Sequence, residues 1–473
     1  MEEVHDPVFK DVIAQLSDLD IVRANQRDHP NYWTSTPSTL RTTANVHSVA
    51  YGTGHSIYQS SIIPAILQAH SEVILVTCFW AKSSTLNDLS NALRRLSAKG
   101  LGLGAGTTIR VRICFSSSSL WQKLLHTTST IGQTYAPGRW QSSFGLPSPE
   151  ELPGLDLQVK SIFILPFSVM HPKFVIVDRK QVLLPSCNVS WEDWFEGCME
   201  LNGPITDYFV RFWKSFWASD EDRTYTPNAA ANTVGACELD GSLAQGLLAS
   251  QPTQLHNIQT VFLPSPHHQN PRFTFPWQYY APPPPTPLNM CLLALFAKAE
   301  RSIFIQTPNL TSPPVLAALL VALKRGIQVH IRTSERLMVL EQLVTAGTTT
   351  KRCMNRLIEQ HKRLSQEFSS RDHSATDLEA GLVTKKAGTL RIEYYRARRA
   401  GAAGAEPVQS HLKLTIIDNR IAIHGSGNMD RASWYTSQEL GVAFVSTELV
   451  GLMEDNLSVA MDGRSETVYD SEG

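Results

Sequence analysis

Apolar and polar positions follow the same order in the two halves of the chain. In the first half, the apolar run SEVILVT (Ser71–Thr77) is followed by LNDLSNALRRLSAKG, with apolar residues at helical spacing, and then by the alternating run TIRVRICF. In the second half, RSIFIQT (Arg301–Thr307), PVLAALLVALKRG and IQVHIRT repeat this order. Because helices and strands differ in the period of their apolar positions, each half is predicted to contain strand–helix–strand units. Such units favour an α/β fold with a mixed sheet flanked by helices in each half.

A second repeat carries reactive side chains. HPKFVIVD (His171–Asp178) returns as HLKLTIID (His411–Asp418), so both halves contain the pattern H-x-K-x-x-x-x-D. Side chains two residues apart on a strand face the same side, which places Lys173 beside His171 and Lys413 beside His411. Each aspartate falls where a turn begins. Two such triples are expected by chance in only about 0.2% of chains of this length, which argues against two unrelated core histidines.

The sequence indicates a further strand after each motif, so each motif is predicted to lie on a hairpin. The sequence is VLLPSCN after the first motif and IAIHGSGN after the second. The hairpin would return Asn188 or Asn428 beside the histidine and lysine of its own half, with Ser186 or Ser426 two residues earlier. Each half therefore supplies an imidazole, an ammonium group, an amide and a hydroxyl to a candidate site.

Length and composition indicate two domains. A chain of 473 residues is long enough to bury two cores. Between the halves the composition changes to Ala, Asn, Gln and Pro and ends in APPPPTP, whose polyproline geometry suits a semi-rigid connector. We therefore predict an N-terminal lobe over 1–225, a Pro-rich linker and loop segment over 226–286, and a C-terminal lobe over 287–473.

The charge balance and cysteine usage exclude several protein classes. Lys+Arg 42 and Asp+Glu 43 give a formal net charge of -1, so no global positive field attracts nucleic acid or an anionic membrane. The seven cysteines are scattered without a C-x-x-C pair, which argues against a disulfide framework and against a zinc ribbon. The sequence contains no transmembrane-length apolar run. These features predict a cytoplasmic protein that contacts membranes at most peripherally.

The paired motifs resemble those of the phospholipase D superfamily. The segment GSGNMDRAS is similar to the G-S-x-N segment that follows the motif in that family, and the second half resembles the cardiolipin synthase-like phosphatidyltransferases. The first copy departs from this pattern, because Pro185 stands where the glycine would be and Cys187 lies between the serine and the asparagine. The resemblance implies two similar lobes packed pseudo-symmetrically, with an active site at their interface.

The resemblance also implies a role for each residue of the motifs. The catalytic set comprises His171, Lys173, Asp178, His411, Lys413 and Asp418. His171 is expected to attack phosphorus and form a phosphohistidine, and His411 to act first as acid and then as base.

Further side chains are expected to support these residues. The phosphate oxygens are expected to be bound by the two lysines together with Asn188, Asn428, Ser186 and Ser426. Glu200 and Glu439 resemble the family's accessory glutamates, which orient the histidines, whereas the two motif aspartates are expected to brace the hairpin turns. With two ammonium groups at the phosphate, no metal or other cofactor is required.

The favoured substrate is a glycerophospholipid, whose phosphatidyl group would be cleaved or transferred. Neutral charge and the phosphatidyltransferase-like second half favour it, as does a cluster of aromatic residues that suits either a lipid interface or core packing: Trp191, Trp194, Trp213 and Trp217. The alternative is a nuclease acting on DNA or RNA, supported by the basic run Lys351–Leu364, which is also typical of a solvated helix face. A catalytically silent scaffold is a third interpretation, against which the two complete triads argue.

Overall fold

A computed structural model gives the chain a mixed α/β fold. The structure describes residues 6–104, 107–119, 126–127, 129–164, 168–227, 245–267, 282–372, 386–398 and 406–472. The strands are Arg41–Thr53 (β1), Glu72–Phe79 (β2), Ile109–Ser117 (β3), Gln133–Tyr135 (β4), Leu155–Ser161 (β5), Phe163–Ile164 (β6), Ser168–Val169 (β7), Phe174–Val177 (β8), Gln181–Pro185 (β9), Trp194–Asn202 (β10), Leu247–Ser265 (β11), Ser302–Thr307 (β12), Gln328–Thr333 (β13), Leu390–Tyr395 (β14), Gln409–Ser410 (β15), Leu414–Ile417 (β16), Ile421–Gly425 (β17), Glu439–Val445 (β18) and Ser465–Asp470 (β19).

Helices cover the faces of the sheet. The α-helices are Pro7–Leu16 (α1), Leu19–Asn25 (α2), Gly54–Ile57 (α3), Ile63–Gln68 (α4), Ser84–Gly102 (α5), Trp140–Phe144 (α6), Ile205–Phe216 (α7), Asp220–Thr224 (α8), Pro287–Lys298 (α9), Pro313–Lys324 (α10), Val339–Ala346 (α11), Thr350–Asp372 (α12), Arg431–Tyr435 (α13) and Thr447–Met461 (α14). A π-helical segment, Tyr58–Ile62, joins α3 to α4, and short 3₁₀ helices form at Pro37–Leu40, Pro137–Arg139 and Pro149–Glu151.

The strands of the first lobe follow one order across the sheet, and those of the second lobe repeat it. In the first lobe the order is β5-β3-β2-β8-β9-β10-β1, with β5, β3 and β2 parallel and the remaining neighbours antiparallel. In the second lobe the order is β14-β13-β12-β16-β17-β18-β11, again with the first three parallel. Short β4 and β19 extend the two outer ends. The predicted α/β fold with two similar lobes is therefore confirmed.

Strand β11 joins the sheets of the two lobes. Strand β11 pairs antiparallel with β1 of the first lobe along one edge and with β18 of the second lobe along the other. Since β1 and β11 hold the same place in their lobes, this pair marks the pseudo-twofold axis. The prediction of a linker and loop segment over 226–286 is wrong for residues 247–265, which form this strand, while 228–244 and 268–281 lie outside the described residues.

Buried apolar side chains on the two faces of the sheet form the core. One cluster lies under α7 and α14 and draws residues from both lobes, so neither helix packs on its own lobe alone. Trp213 and Trp217 belong to this cluster and are each 1% exposed. These two tryptophans therefore fill the core, which leaves only the other members of the aromatic cluster as candidates for a surface role.

Candidate active site at the interface of the two lobes

The first motif meets the second lobe at His171. Met170 forms a parallel bridge with Gln438, and the His171 N–H donates to the Gln438 carbonyl at 2.9 Å. The next residue along the second lobe is Glu439, the first of β18. This short parallel contact therefore places the histidine of one lobe beside a carboxylate of the other.

The second motif meets the first lobe in the same way. Strand β15 pairs in parallel with the start of β10, and the His411 N–H donates to the Phe195 carbonyl at 2.9 Å. The residue after Phe195 is Glu196. The two contacts are thus related by the pseudo-twofold axis, and each lobe supplies a histidine and receives a glutamate.

Each imidazole is held through Nδ1 by the glutamate of the opposite lobe. His171 Nδ1 lies 2.9 Å from Glu439 Oε2 and 2.9 Å from the Ser426 carbonyl oxygen, and His411 Nδ1 lies 2.7 Å from Glu196 Oε1. Carboxylate and carbonyl oxygens only accept, so the proton of a neutral ring is assigned to Nδ1. Nε2 of each ring then keeps its lone pair for attack on phosphorus or for proton transfer.

The glutamate of the first lobe is Glu196, and the prediction of Glu200 is wrong. Glu200 lies four residues further along β10, where its Oε1 accepts from Gln181 at 2.7 Å and its Oε2 from Ser48 at 3.2 Å. It therefore ties neighbouring strands of the first lobe together. Glu439, the predicted glutamate of the second lobe, does contact a histidine, although this is the histidine of the other motif.

The two motif serines hold the glutamates. Ser186 Oγ donates to Glu196 Oε2 and Ser426 Oγ donates to Glu439 Oε2, both at 2.5 Å. Each hydroxyl also accepts the backbone N–H that follows its glutamate, at 2.9 and 3.0 Å. The structure thus assigns Ser186 and Ser426 to the carboxylates, which corrects the prediction that they bind substrate.

The two hairpin turns share one shape despite their different sequences. The Ser186 N–H donates to the Gly197 carbonyl at 2.8 Å, and the Ser426 N–H donates to the Leu440 carbonyl at 2.9 Å. At Gly425 an added Cβ would lie 2.2 Å from the Leu440 oxygen, so the second copy requires glycine there. Pro185 occupies the corresponding position of the first copy within the β9–β10 ladder.

The two lysines are buried beside the histidines. Lys173 is 2% and Lys413 3% exposed, and each ammonium donates to the carbonyl of its own histidine, at 2.9 and 2.5 Å respectively. Burial lowers the pKa of Lys413 to about 7, although the carboxylate of Glu196 opposes this shift. The positive charge of Lys413 is therefore sensitive to pH near neutrality.

Burial and the lysines favour neutral histidines. Burial lowers the pKa of His171, with Glu439 opposing and Lys173 adding to the effect. Burial also lowers the pKa of His411 well below its ordinary value, and Lys413, Lys173 and His171 lower it further. Since these groups influence one another's protonation, the residues of both motifs belong to one electrostatic site.

The two asparagines are held differently. Asn188 Oδ1 accepts from the Phe79 N–H at 3.2 Å and from Thr77 Oγ1 at 3.4 Å, which directs its amide nitrogen away from β2. Asn428 Nδ2 donates to Asp430 Oδ2 at 3.0 Å, and its buried Oδ1 has no hydrogen-bond partner in the part of the chain that the structure describes. Both amides lie two residues after the motif serines, but their environments are not equivalent.

The motif aspartates lie at the far end of their hairpins. Asp178 accepts from the backbone N–H groups of His70, Ser71 and Glu72 at 2.8–3.2 Å. Asp418 accepts from the corresponding N–H groups ahead of β12, those of residues 300–302. Both aspartates therefore brace the entry to a central parallel strand, which agrees with the expected bracing role and not with a place in the catalytic set.

Sequence reasoning missed two further contacts. The centroids of the Trp194 and His411 rings are 4.7 Å apart. Ser433 Oγ donates to Glu439 Oε1 at 2.6 Å. The sequence pattern indicates only that Trp194 belongs to an aromatic cluster. Ser433 lies in α13, just after GSGN. Its closeness in sequence to that segment is the only feature that would have indicated a role at the site.

Comparisons with known proteins give a matching family model for part of the chain and a solved structure with a similar fold. The family model described as cardiolipin synthase, PLD-like domain, matches residues 292–459. The phosphatidylserine synthase from Haemophilus influenzae Rd KW20 is 13% identical, with a TM-score of 0.51 and 91% of each chain covered. Nuc, a phospholipase D family member from Salmonella typhimurium, is 21% identical, covering 39% of this chain and 92% of its own, with a TM-score of 0.26. No curated protein matches this sequence significantly.

The family model covers the second lobe, and the synthase shares the fold of both. The paired motifs converge from the two lobes on one site, as the resemblance implied. Residues 292–459 therefore match a phospholipase D-like domain, and the whole chain shares the fold of the synthase.

Proposed function

We propose that this protein is a phosphodiesterase of the phospholipase D type that cleaves or transfers the phosphatidyl group of glycerophospholipids. The observation that carries the proposal is the pair of imidazoles, each fixed through Nδ1 by a glutamate of the other lobe, with two buried ammonium groups beside them. A phosphodiester bears one negative charge, and a neutral nitrogen attacks it with less repulsion than an anion would.

The first step forms a covalent intermediate. His171 Nε2 attacks phosphorus, and the bond from phosphorus to the head-group oxygen breaks. His411 gives the proton on its Nε2 to that oxygen, so the head group leaves as a neutral alcohol. The anionic substrate brings a negative charge to the site, which offsets the effect of the lysines and favours the protonated His411 that this step requires.

The second step releases the phosphatidyl group. His411, now neutral, accepts a proton from water or from an acceptor alcohol, whose oxygen attacks phosphorus while the bond to His171 Nε2 breaks. Water gives phosphatidic acid and an alcohol gives a new phospholipid. Ser186 and Ser426 contribute indirectly, because they fix the glutamates that keep Nδ1 protonated.

Lys173 and Lys413 would stabilise the charge that develops on the non-bridging oxygens. A preorganised donor of this kind is typically worth about 3–4 kcal/mol of activation free energy. The amide nitrogen of Asn188 faces away from β2 and is the further donor that the geometry supports best. Two ammonium groups supply the charge stabilisation that a divalent metal provides in other phosphoryl-transfer sites.

The comparisons support a lipid rather than a nucleic acid substrate. The matching family model and a solved structure that shares the fold both carry names of phospholipid-synthesising enzymes. A net charge of -1 also gives no general attraction to a polyanion. Within the described residues, no helix has the length and apolar character needed to cross a bilayer.

The proposal is tested by incubating the purified protein in EDTA with mixed phospholipid vesicles and, separately, with single-stranded DNA. We expect release of choline, ethanolamine or glycerol from the vesicles, persistence of activity in the chelator, and loss of turnover in His171→Ala and His411→Ala. An added primary alcohol distinguishes transfer from hydrolysis by forming a new phospholipid. Shortened DNA without head-group release would instead establish the nuclease. Equal rates for wild type and His171→Ala would show that the protein is a catalytically silent scaffold.

A further inference from the structure

Exposed apolar side chains surround the end of the sheet at which the site lies. The parallel strands β12 and β13 end at this edge, and α11 follows β13 directly. Leu340 in α11 is 80% exposed, more than any other large apolar side chain that the structure describes, and Val344 is 61% exposed. Met338 and Leu343 are each 39% exposed. Such a concentration on one short helix is unusual for a surface that faces only water.

Helix α11 is fixed to the loop that carries Asn428. The Arg431 guanidinium donates to the Thr345 carbonyl at 3.4 Å. The Gln342 side chain accepts from the N–H of Thr350, whose hydroxyl accepts from the Leu310 N–H, and Leu310 bridges Met429. The exposed helix is therefore part of the rim of the catalytic cleft rather than a distant surface element.

The first lobe contributes to the same rim. Trp191 follows β9 at the edge where the first motif begins, three residues after Asn188, and is 66% exposed. Val408, 56% exposed, donates its N–H to the Asp193 carbonyl at 2.8 Å, which joins the segment before His411 to the Trp191 loop. We call the exposed apolar residues around the cleft the rim patch: Trp191, Met338, Leu340, Leu343, Val344 and Val408.

Cationic side chains flank the rim patch. Arg336 precedes α11, and Lys351 and Arg352 open α12; all three are exposed. The neighbouring Glu335 carboxylate is paired with Lys351 and Arg396, and the acid within α11 itself is Glu341. An apolar surface bordered by cations complements an anionic membrane, whose headgroups attract the cations while its interior accepts the apolar groups.

We propose that the rim patch docks onto an anionic phospholipid surface and so brings the cleft to the head groups of its substrate. This inference rests on the proposed lipid activity and names the partner that the site would engage. The acyl chains of a glycerophospholipid stay in the bilayer during the reaction, so the catalytic edge must approach the bilayer, and the patch occupies that edge.

The test compares two double variants in vesicle sedimentation and in turnover. Leu340→Asp/Val344→Asp places two charges in the rim patch. Leu101→Asp/Val321→Asp is the matched control, since these residues are 58% and 55% exposed and precede β3 and β13 at the opposite edge of the sheet. Vesicles of phosphatidylcholine with phosphatidylglycerol measure docking, and a small chromogenic phosphodiester free in water measures the chemistry without a membrane.

We expect the rim variant to bind vesicles at least about tenfold more weakly than wild type, because each buried leucine-sized side chain it loses is worth about a factor of ten or more. The control variant binds like wild type, and all three proteins turn over the soluble diester at the same rate. Equal vesicle binding by wild type and rim variant overturns the proposal, as does a concentration-dependent dimer of wild type that the rim variant abolishes. If wild type binds vesicles but releases no head group, docking stands and the proposed activity fails.

Discussion

Replacing Glu196 by glutamine tests the chemistry of the site at its most specific point. In the wild type, Glu196 accepts from His411 Nδ1 at 2.7 Å through one oxygen and from the Ser186 hydroxyl at 2.5 Å through the other. A glutamine has one oxygen and one NH₂ group. Whichever way the amide is oriented, NH₂ faces either the Ser186 hydroxyl, which already accepts the Gly197 N–H, or His411 Nδ1. The variant therefore either loses the Ser186 hydroxyl as a donor to this side chain or forces His411 to give up the proton on Nδ1.

The size of the effect follows from these two contacts. Hydrogen bonds to a charged group contribute about 1.5–3 kcal/mol each, which corresponds to roughly 10–150-fold in rate if one is lost at the transition state. If the glutamine turns its NH₂ toward His411, the proton moves to Nε2 and the ring has the wrong tautomer to act as base. The loss in kcat then approaches the roughly 10⁴-fold seen when the carboxylate of a serine-protease triad is replaced by its amide.

The assay is the initial rate on a chromogenic phosphodiester, with the melting temperature recorded for each variant. Glu200→Gln is the matched control, because it makes the same change four residues along the same strand, where the carboxylate contacts Gln181 and Ser48. We expect Glu200→Gln to retain wild-type turnover. A Glu196→Gln protein that is folded and as active as wild type would refute the assignment, and an equal loss in both variants would show that only the stability of β10 matters.

Two further predictions concern the lysine and the aspartate of the motifs. Because the pKa of Lys413 is lowered to about 7, its charge is lost as pH rises through neutrality, so kcat/KM should fall on the alkaline side of its pH profile. In Lys413→Arg the guanidinium stays charged, so this fall should shift to higher pH even if the rate is lower. If kcat/KM of Lys413→Arg falls at the same pH as that of the wild type, the fall arises from another group. Asp178→Asn removes the charge that accepts from three backbone N–H groups at the start of β2, and should lower the free energy of unfolding by about 1–3 kcal/mol while the folded protein keeps its kcat. A large loss of kcat at unchanged melting temperature would return Asp178 to the catalytic set.

The sequence alone determined the repeated units and the residues that carry reactive groups. The 2- and 3.6-residue periods predicted the strands and helices around Ser71–Thr77 and Arg301–Thr307, and the structure has β2, α5, β3 and β12, α10, β13 in the predicted order. The histidines, lysines and asparagines of the motifs follow from their spacing on hairpins. These features depend on contacts between residues close in sequence, so local patterns carry them.

Strand β11 shows what local patterns do not carry. Its sequence, LLASQPTQLHNIQTVFLPS, contains two prolines and many polar residues, so it resembles a connector. It forms a strand because β1 and β18 present unpaired edges on both of its sides. A segment that takes its hydrogen bonds from strands of two different lobes is recognised only when the lobes are assembled.

Only the tertiary structure decided which glutamate serves His411. Glu196 and Glu200 are an even number of residues apart on β10 and therefore face the same side, so strand periodicity does not distinguish them. About 13 Å of strand separates their positions, at roughly 3.3 Å per residue. The parallel contact of β10 with β15 places the first of them beside His411, and the antiparallel contact with β9 places the second beside Gln181. The sequence determines the chemistry of each side chain. Which side chains then come into contact depends on the register between strands that are distant in the chain, and this register depends on the packing of both lobes.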